Sequence, residues 1–289
     1  MLDSCDYGCK DSQIAFFGGS FTAIERGRMV ALLETANEYI NKGIAQSVRI
    51  STRPDFINRE ILDLLKRYRV THIELGVQST NDFVLNASLR GHSARASFEG
   101  ARLINENNMA FVGQMMIGLP GSTPNDELQT AKDIVKMGAV EARIYPTVVF
   151  EGTRLCEMTE RGEYTPLDLE SAVERTANCF KIFLDAGVRL LRIGLHSSEN
   201  LKNAPYGANH QSIGELVKSR VYTDLITERA GDCTGQILCI GINKNDISML
   251  RGYNGSAIKR LKEITRCVSV EITACELPHF KPSVSKRSV

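Results

Sequence analysis

The chain has 289 residues, 43% of them hydrophobic and 24% charged, with a formal net charge of +1. This is a globular composition, which excludes a low-complexity or disordered polymer, and no apolar run approaches the roughly 18 residues that a membrane helix needs. The opening residues MLDSCDYGCKDSQ are polar and acidic, unlike a signal or transit peptide, so a cytoplasmic protein with no membrane partner is expected.

Short apolar runs rich in β-branched and aromatic residues fall at 14–17, 48–50, 72–77, 110–117, 142–150 and 188–195. Gly, Pro or Ser bounds most of them, the pattern of buried parallel strands. Helical periodicity fills the gaps. Met29, Leu32, Leu33, Ala36, Tyr39 and Ile40 share one face, and Ile57, Ile61, Leu64, Leu65 and Tyr68 share another, in a helix that Asp55 is placed to cap. Leu128, Ala131, Ile134 and Val135 form a third face that stops at Gly138, and Val173, Ala177, Phe180 and Leu184 form a fourth that ends at Gly187. Strand and helix alternating at this spacing predict βα units around a parallel sheet, closed or nearly closed into a barrel. Chemistry in such folds sits at the carboxyl ends of the strands.

Beyond residue 195 the pattern changes. Residues 196–220 read as an irregular connection, with His196 as a structural histidine. From Gln236 the chain runs QILCIGIN, KNDISMLR, GYNG, SAIKRLKEITRC, VSVEIT, which is strand, helix, glycine loop, helix, strand. Charge is also uneven: residues 1–216 hold 23 Lys+Arg against 27 Asp+Glu, while residues 217–289 hold 12 against 7. The expected organisation is a barrel over 1–195, a connecting segment over 196–230, a small basic α/β module over 231–278, and an unstructured tail over 279–289.

The expected strand ends carry a series of polar and glycine-rich turns. The first closes on Gly18-Gly19-Ser20, whose backbone can approach a ligand closely. The second closes on Ser51-Thr52-Arg53-Pro54-Asp55, where Arg53 can grip a carboxylate or pair with a neighbouring acid. The third ends in Gln78-Ser79, suited to ribose hydroxyls or to a backbone gap, and the fourth in Ile117-Gly118, suited to an adenine face as well as to simple packing. The fifth carries Tyr145, placed either toward the barrel mouth or in the core.

Together, IAFFGGSFT, VRISTRPD, IELGVQSTNDFVL with RGHS, MMIGLPGST and RIYPTVVFEGTRL resemble the radical S-adenosylmethionine superfamily. Within it they resemble the branch of the Elongator catalytic subunit and its shorter bacterial relatives without an acetyltransferase domain. The resemblance covers about residues 14–195. Coproporphyrinogen oxidases of the same superfamily share the GVQS, RGH and GLPG pieces. The resemblance implies an incomplete (β/α)6-type partial TIM barrel and S-adenosylmethionine as cofactor. It places the methionine amino group at Gly18, Gly19 and Ser20, its carboxylate at Ser51 and Arg53, the ribose at Gln78 and Ser79, and adenine near Ile117 and Gly118, with Tyr145 on the substrate side. It also implies a [4Fe-4S] cluster that generates a 5′-deoxyadenosyl radical, and a reductant such as flavodoxin or ferredoxin.

The family holds that cluster on C-x3-C-x2-C. Here Cys5 and Cys9 have the first spacing, but Ser12 stands at the third position. Only eight residues separate Cys9 from Gly18, too few for a helix and a strand. Cys5 and Cys9 are therefore weak candidates, no metal ligand is assigned, and the first strand, cluster loop and following helix are expected to be missing from this chain. The other six cysteines read as reduced, buried hydrophobes.

The C-terminal βααβ order, with Gly252 and Gly255 framing the loop, resembles the core of a KH-type RNA-binding module. Arg251, Lys259, Arg260 and Lys262 cluster where phosphate contacts are wanted. The alternative is a small lid. Three functions stay open: a tRNA-modifying radical enzyme inactive in this form, a non-catalytic RNA- or nucleotide-binding remnant, and a coproporphyrinogen-oxidase-like radical enzyme acting on a small molecule.

Overall fold

The computed structural model describes residues 12–252 and 255–289. Cys5 and Cys9, and the Tyr253-Asn254 centre of the glycine loop, lie outside the described residues. The chain forms two compact units, the first running to Tyr145 and taking in Ile182–Arg192, the second made of Pro146–Lys181 and Ile193–Val289.

The first unit alternates strand and helix: β1 (Gln13–Phe16), α1 (Arg26–Asn41), β2 (Ser47–Thr52), α2 (Arg59–Arg67), β3 (Val70–Gln78), α3 (Asp82–Ala87), α4 (Ala94–Glu106), β4 (Ala110–Ile117), α5 (Pro124–Lys136) and β5 (Glu141–Pro146). After β6 (Val148–Val149), α6 (Arg154–Glu160) and α7 (Leu169–Asp185), the chain returns through β7 (Arg189–Ile193). Among the described residues the sheet order is β1-β2-β3-β4-β5-β7. The sheet is a curled, parallel half-barrel rather than a closed one.

One row of the register shows why these segments pair as they do. Phe16, Ile50, Ile73 and Phe111 lie side by side across four strands, and the last three are fully buried. Alternation puts Leu75, Val77, Met115, Ile117, Ala142 and Ile144 on the same helix-covered face. Gly113 lies on that face too, where a Cβ would come within 2.3 Å of the Ile134 side chain, so glycine lets α5 pack close. Helix starts follow local chemistry. Thr123 and Asp126 form a capping box on α5 with Pro124 in its first turn. Asn58, not Asp55, caps α2, because the Asp55 carboxylate is held by Arg53.

The second unit continues through α8 (Glu199–Lys202), β8 (Tyr206–Gly207), α9 (Ile213–Ala230), β9 (Gln236–Asn243), α10 (Ile247–Arg251), α11 (Ser256–Thr265), β10 (Ser269–Cys275) and β11 (Ser283–Ser288). β6 and β8 pair antiparallel. β9 runs parallel to β10 and antiparallel to β11, giving the order β10-β9-β11. Two expectations need correction here. The segment taken as a connection holds the 18-residue helix α9, whose Tyr222, Ile226 and Ala230 join the core of the β9 sheet. The tail expected to lack structure is a strand that fills the second edge of β9.

A buried polar knot holds that last segment. The Tyr222 hydroxyl donates to the fully buried Asp246, and accepts from the Phe280 backbone N–H at 2.8 Å. His279 Nδ1 meets the other Asp246 oxygen at 2.7 Å. Phe280 adopts a left-handed backbone (φ +56°), unfavourable for an aromatic residue. Its ring stacks on Tyr222 at 4.7 Å and meets Phe180 edge-on at 5.0 Å, which offsets that cost. Phe280→Ala is expected to destabilise this unit by about 2–3 kcal/mol, read as a lower urea midpoint. An unchanged midpoint would show that β11 is not anchored there.

Candidate functional site

The face of the first sheet away from its helices is polar. Register places Arg49 beside His72, and Ser51 beside Glu74. Arg49 reaches Glu141 at 2.6 Å, although β3 and β4 lie between their strands. Across a flat sheet that span would be about 14 Å, so the contact exists because the sheet curls. Arg189 of β7 binds the other Glu141 oxygen. Arg143 pairs with Glu74 at 2.8 Å, lies over the Phe17 ring and donates to the Tyr145 hydroxyl at 3.4 Å. Gln13 bridges Ser47 and His72.

Burial pushes Glu74 above the ordinary carboxyl range, with Arg143 and Arg49 opposing it. Burial acts on Glu141 in the same direction, but hydrogen bonds from Arg189 and Arg49 outweigh it and leave that carboxyl below its ordinary value.

The parallel strands bring the expected residues to one edge. Gly18 (φ +99°) and Gly19 (φ +73°) close β1, and a Cβ on either would meet nothing within 4 Å. The loop backbone therefore borders open space, and positive φ is what calls for glycine. Ser20 follows in extended conformation. Ser51 is half-buried on the polar face. Arg53 is bound in bidentate fashion by Asp55 (3.0 and 2.6 Å), donates to the Gly91 carbonyl and lies against the Phe56 ring. Its guanidinium is already engaged.

Gln78 is buried, follows a break in register after Gly76, and holds φ +64°, uncommon for a side-chain-bearing residue. Gln114 donates to its amide oxygen at 3.5 Å. Ser79 is buried and its hydroxyl accepts the Asn81 N–H, which shapes the turn. Ile117 is fully buried in the helix-side row. Gly118 (φ +76°) donates its N–H to the buried Glu127 carboxylate at 2.6 Å. Tyr145 lies half-buried at the end of β5.

Sequence reading passed over Arg90 and His92, although RGHS contains both. Arg90 is partly buried, has no acidic partner among the described residues, and its Nε is buried without a hydrogen bond. Burial and the neighbouring Arg53 push its pKa down. His92 is buried with Nε2 3.2 Å from the Val77 carbonyl and Nδ1 unpartnered. The available signal was a charged residue set between Leu89 and Gly91, in the turn between α3 and α4. The Glu74–Arg143 pair was missed for the opposite reason, since a single acid inside HIELGV looks like noise in an apolar run.

The fit to the two implied groups differs. An exposed glycine backbone, a buried amide and an arginine without an acid partner suit S-adenosylmethionine, which carries an ammonium, a carboxylate and a ribose. The described residues do not fit an iron–sulfur cluster. No three His, Cys, Asp or Glu among them are grouped to hold a metal. The described cysteines, Cys156, Cys179, Cys233, Cys239, Cys267 and Cys275, all belong to the second unit as free thiols.

Burial lowers both His72 and His92 from their ordinary value of 6.5. The folded state thus favours neutral imidazole, the unfolded chain binds more protons, and stability falls as pH drops below about 6.5. His92→Gln is expected to flatten the fall in melting temperature between pH 7 and 5. An unchanged slope would remove His92 as a contributor.

Comparison with known proteins agrees with this layout. Residues 6–134 match the Radical SAM superfamily, and residues 140–223 match the Radical SAM C-terminal domain. A tRNA uridine(34) acetyltransferase of Methanocaldococcus infernus is 28% identical over 237 residues, or 75% of this chain and 44% of its own length. The human Elongator complex protein 3 is 27% identical over 177 residues, or 60% and 32%. The solved structure of archaeal M. infernus Elp3 with an N-terminal deletion matches with a TM-score of 0.66 at 25% identity, covering 77% of this chain and 55% of that one. The chain spans about half or less of the length of the curated relatives it matches. No helix among the described residues is long and apolar enough to cross a membrane. With its strand-end geometry, both matched domains and these relatives, the chain belongs to the radical SAM superfamily and is related to its Elongator-type members.

Proposed function

We propose that the first unit binds S-adenosylmethionine at the carboxyl edge of its sheet, as part of a protein that acts on tRNA. The carrying observation is the grouping on that edge of open glycine backbone at Gly18 and Gly19, buried Gln78 with left-handed backbone, Gly118, and Arg90 without an acid partner. Gly18, Gly19 and Ser20 present bare backbone to the ammonium. Ser51 and Arg53 flank the methionine end, and Arg90 supplies the charge for its carboxylate. Gln78 and Ser79 face the ribose, the Gly118 turn the adenine, and Tyr145 the substrate side; the Ile117 side chain, expected beside the adenine, is buried on the helix side of the sheet instead and contributes backbone alone. The tRNA part of the reading rests on what the relatives are named for.

Calorimetry on the whole chain tests the assignment. A lost charge-assisted contact is worth about 1.5–3 kcal/mol. Arg90→Ala is therefore expected to weaken S-adenosylmethionine by about 10- to 100-fold while leaving methylthioadenosine, which lacks the methionine carboxylate, unchanged. Arg53→Ala is expected to cost much less, because Asp55 already holds that side chain. Equal losses for both ligands would assign Arg90 to the fold instead of the cofactor.

The cluster is a separate matter. The sequence has no C-x3-C-x2-C, and the described residues offer no substitute. We infer that this polypeptide binds the cofactor without a stable cluster of its own. Anaerobic iron–sulfide reconstitution is expected to give no stoichiometric [4Fe-4S] EPR signal. A stoichiometric signal lost on substituting Cys5 and Cys9 would overturn this.

A further inference from the structure

The helices of the second unit leave a space unfilled where three of them meet. Between α7, α9 and α11 lies a cavity of about 500 Å³, and every residue lining it belongs to that unit. This is the size of a small-molecule site, roughly 300–1,000 Å³. Neither Gly252 nor Gly255 lines it. Leu169 and Val173 of α7 and Leu216 of α9 form an apolar side. Ser219 and Arg220 of α9, with Ser256 and Arg260 of α11, form a polar one. Of the cations expected at phosphates, Arg260 thus has a different setting from Arg251 and Lys262, which are exposed and do not line this cavity.

The two arginines differ in how they are satisfied. Arg220, with a side chain only 10% exposed, meets Glu170 at 2.7 Å, Asp224 at 3.4 Å and Glu174 at 3.7 Å. Arg260 has Glu170 alone, at 3.5 Å, and its Nε is buried with no hydrogen-bond partner. A buried donor without an acceptor is destabilising, and a guanidinium presents Nε in a fork that fits a carboxylate or a phosphate. Ser219 is 7% exposed, and its hydroxyl has no hydrogen-bond partner among the described residues. A Cβ at Gly252 would come within 2.9 Å of that hydroxyl and 3.0 Å of the Ser256 hydroxyl, so the two stand close together.

These donors call for an acceptor, and the carboxylates of the lining are already engaged, Glu170 by both arginines and Glu263 by Lys259 at 4.0 Å. A cation would find no free carboxylate there. An inorganic ion would leave the apolar side against water. We propose that this cavity binds a small amphipathic anion, with its carboxylate or phosphate at Arg260 Nε and the Ser219 and Ser256 hydroxyls and its hydrocarbon or ring against Leu169, Val173 and Leu216. Glu170 is its competitor. That side chain is 69% exposed, so its release from Arg260 costs little, and Arg220 keeps Glu174 and Asp224 when it leaves. The incoming anion takes the place of Glu170 on Arg260. The site lies in the second unit and stands without the cofactor reading of the first.

Calorimetry of the whole chain with hexyl phosphate, hexanoate, inorganic phosphate and hexylamine tests the site. The better of the two amphipathic anions is expected to bind at least about tenfold more tightly than inorganic phosphate or hexylamine, because its chain buries several methylenes. Which of the two is better assigns the anionic group. Arg260→Gln is expected to weaken that probe by about 10- to 100-fold, as loss of a charge-assisted bond does. Glu170→Gln removes the competing carboxylate and is expected to tighten it by about two- to fivefold, a gain that a purely structural Glu170 would not give. Four outcomes overturn the proposal: neither amphipathic anion binds at millimolar concentration, inorganic phosphate or hexylamine binds as tightly, Arg260→Gln leaves binding unchanged, or Glu170→Gln fails to tighten it. None of these bears on S-adenosylmethionine, which the Arg90→Ala comparison reads separately.

Discussion

The first unit is shaped by ion pairs that cross the hollow of its sheet. Arg49 and Glu141 stand on strands separated by two others, and Phe17, just past β1, meets Arg143 of β5 across three; these contacts accompany the curl. The Arg49 and Glu141 side chains are only 13% and 4% exposed, so the pair is largely out of water. Removing one member of such a pair typically costs about 3–5 kcal/mol, because the other charge is left stranded. Arg189, mostly exposed, adds less. A closed barrel would fill this space with hydrocarbon. A half-barrel with charges there keeps its interior polar and still holds its curvature.

The same arrangement explains why unusual backbone collects at one edge. Each strand must turn outward into its helix where the interior opens. Gly18, Gly19, Gln78 and Gly118 all take positive φ at those turns. Three of them pay nothing for it as glycines, while Gln78 takes the strain and gains a buried amide aimed along the sheet edge. Glu127 ties the Gly118 N–H and the Ser122 hydroxyl into the start of α5, so one helix end helps set the fourth turn.

Much of this was legible in the sequence. The six runs at 14–17 through 188–195 became the six strands of the sheet because buried parallel strands are nearly continuous apolar stretches, and their ends located the turns. Partner choice was not legible. Arg53 follows a strand and Arg90 the short helix α3, and only the fold shows that Asp55 and Gly91 occupy the first and leave the second without an acid partner. Helix α9 escaped notice because its buried residues, from Val217 through Ser219, Val221, Tyr222 and Thr223, surround the helix instead of forming one stripe. β11 escaped because Ser283–Ser288 has one apolar residue, Val284, and the turn before it is anchored through Phe280 to Tyr222, Phe180 and Asp246, far away in sequence.

That last strand bears on the order in which the chain can be made. β9 is the centre of its sheet, and the strand on one side of it is Ser283–Ser288, the final element described. During synthesis β9 and β10 can pair as soon as both leave the ribosome, but the other edge of β9 must wait until residue 288 has emerged. Until then an apolar central strand is open to pairing with any neighbouring chain. A chain interrupted between Cys275 and Ser283 would therefore keep β9 and β10 paired yet leave the second edge of β9 exposed along the middle of its sheet.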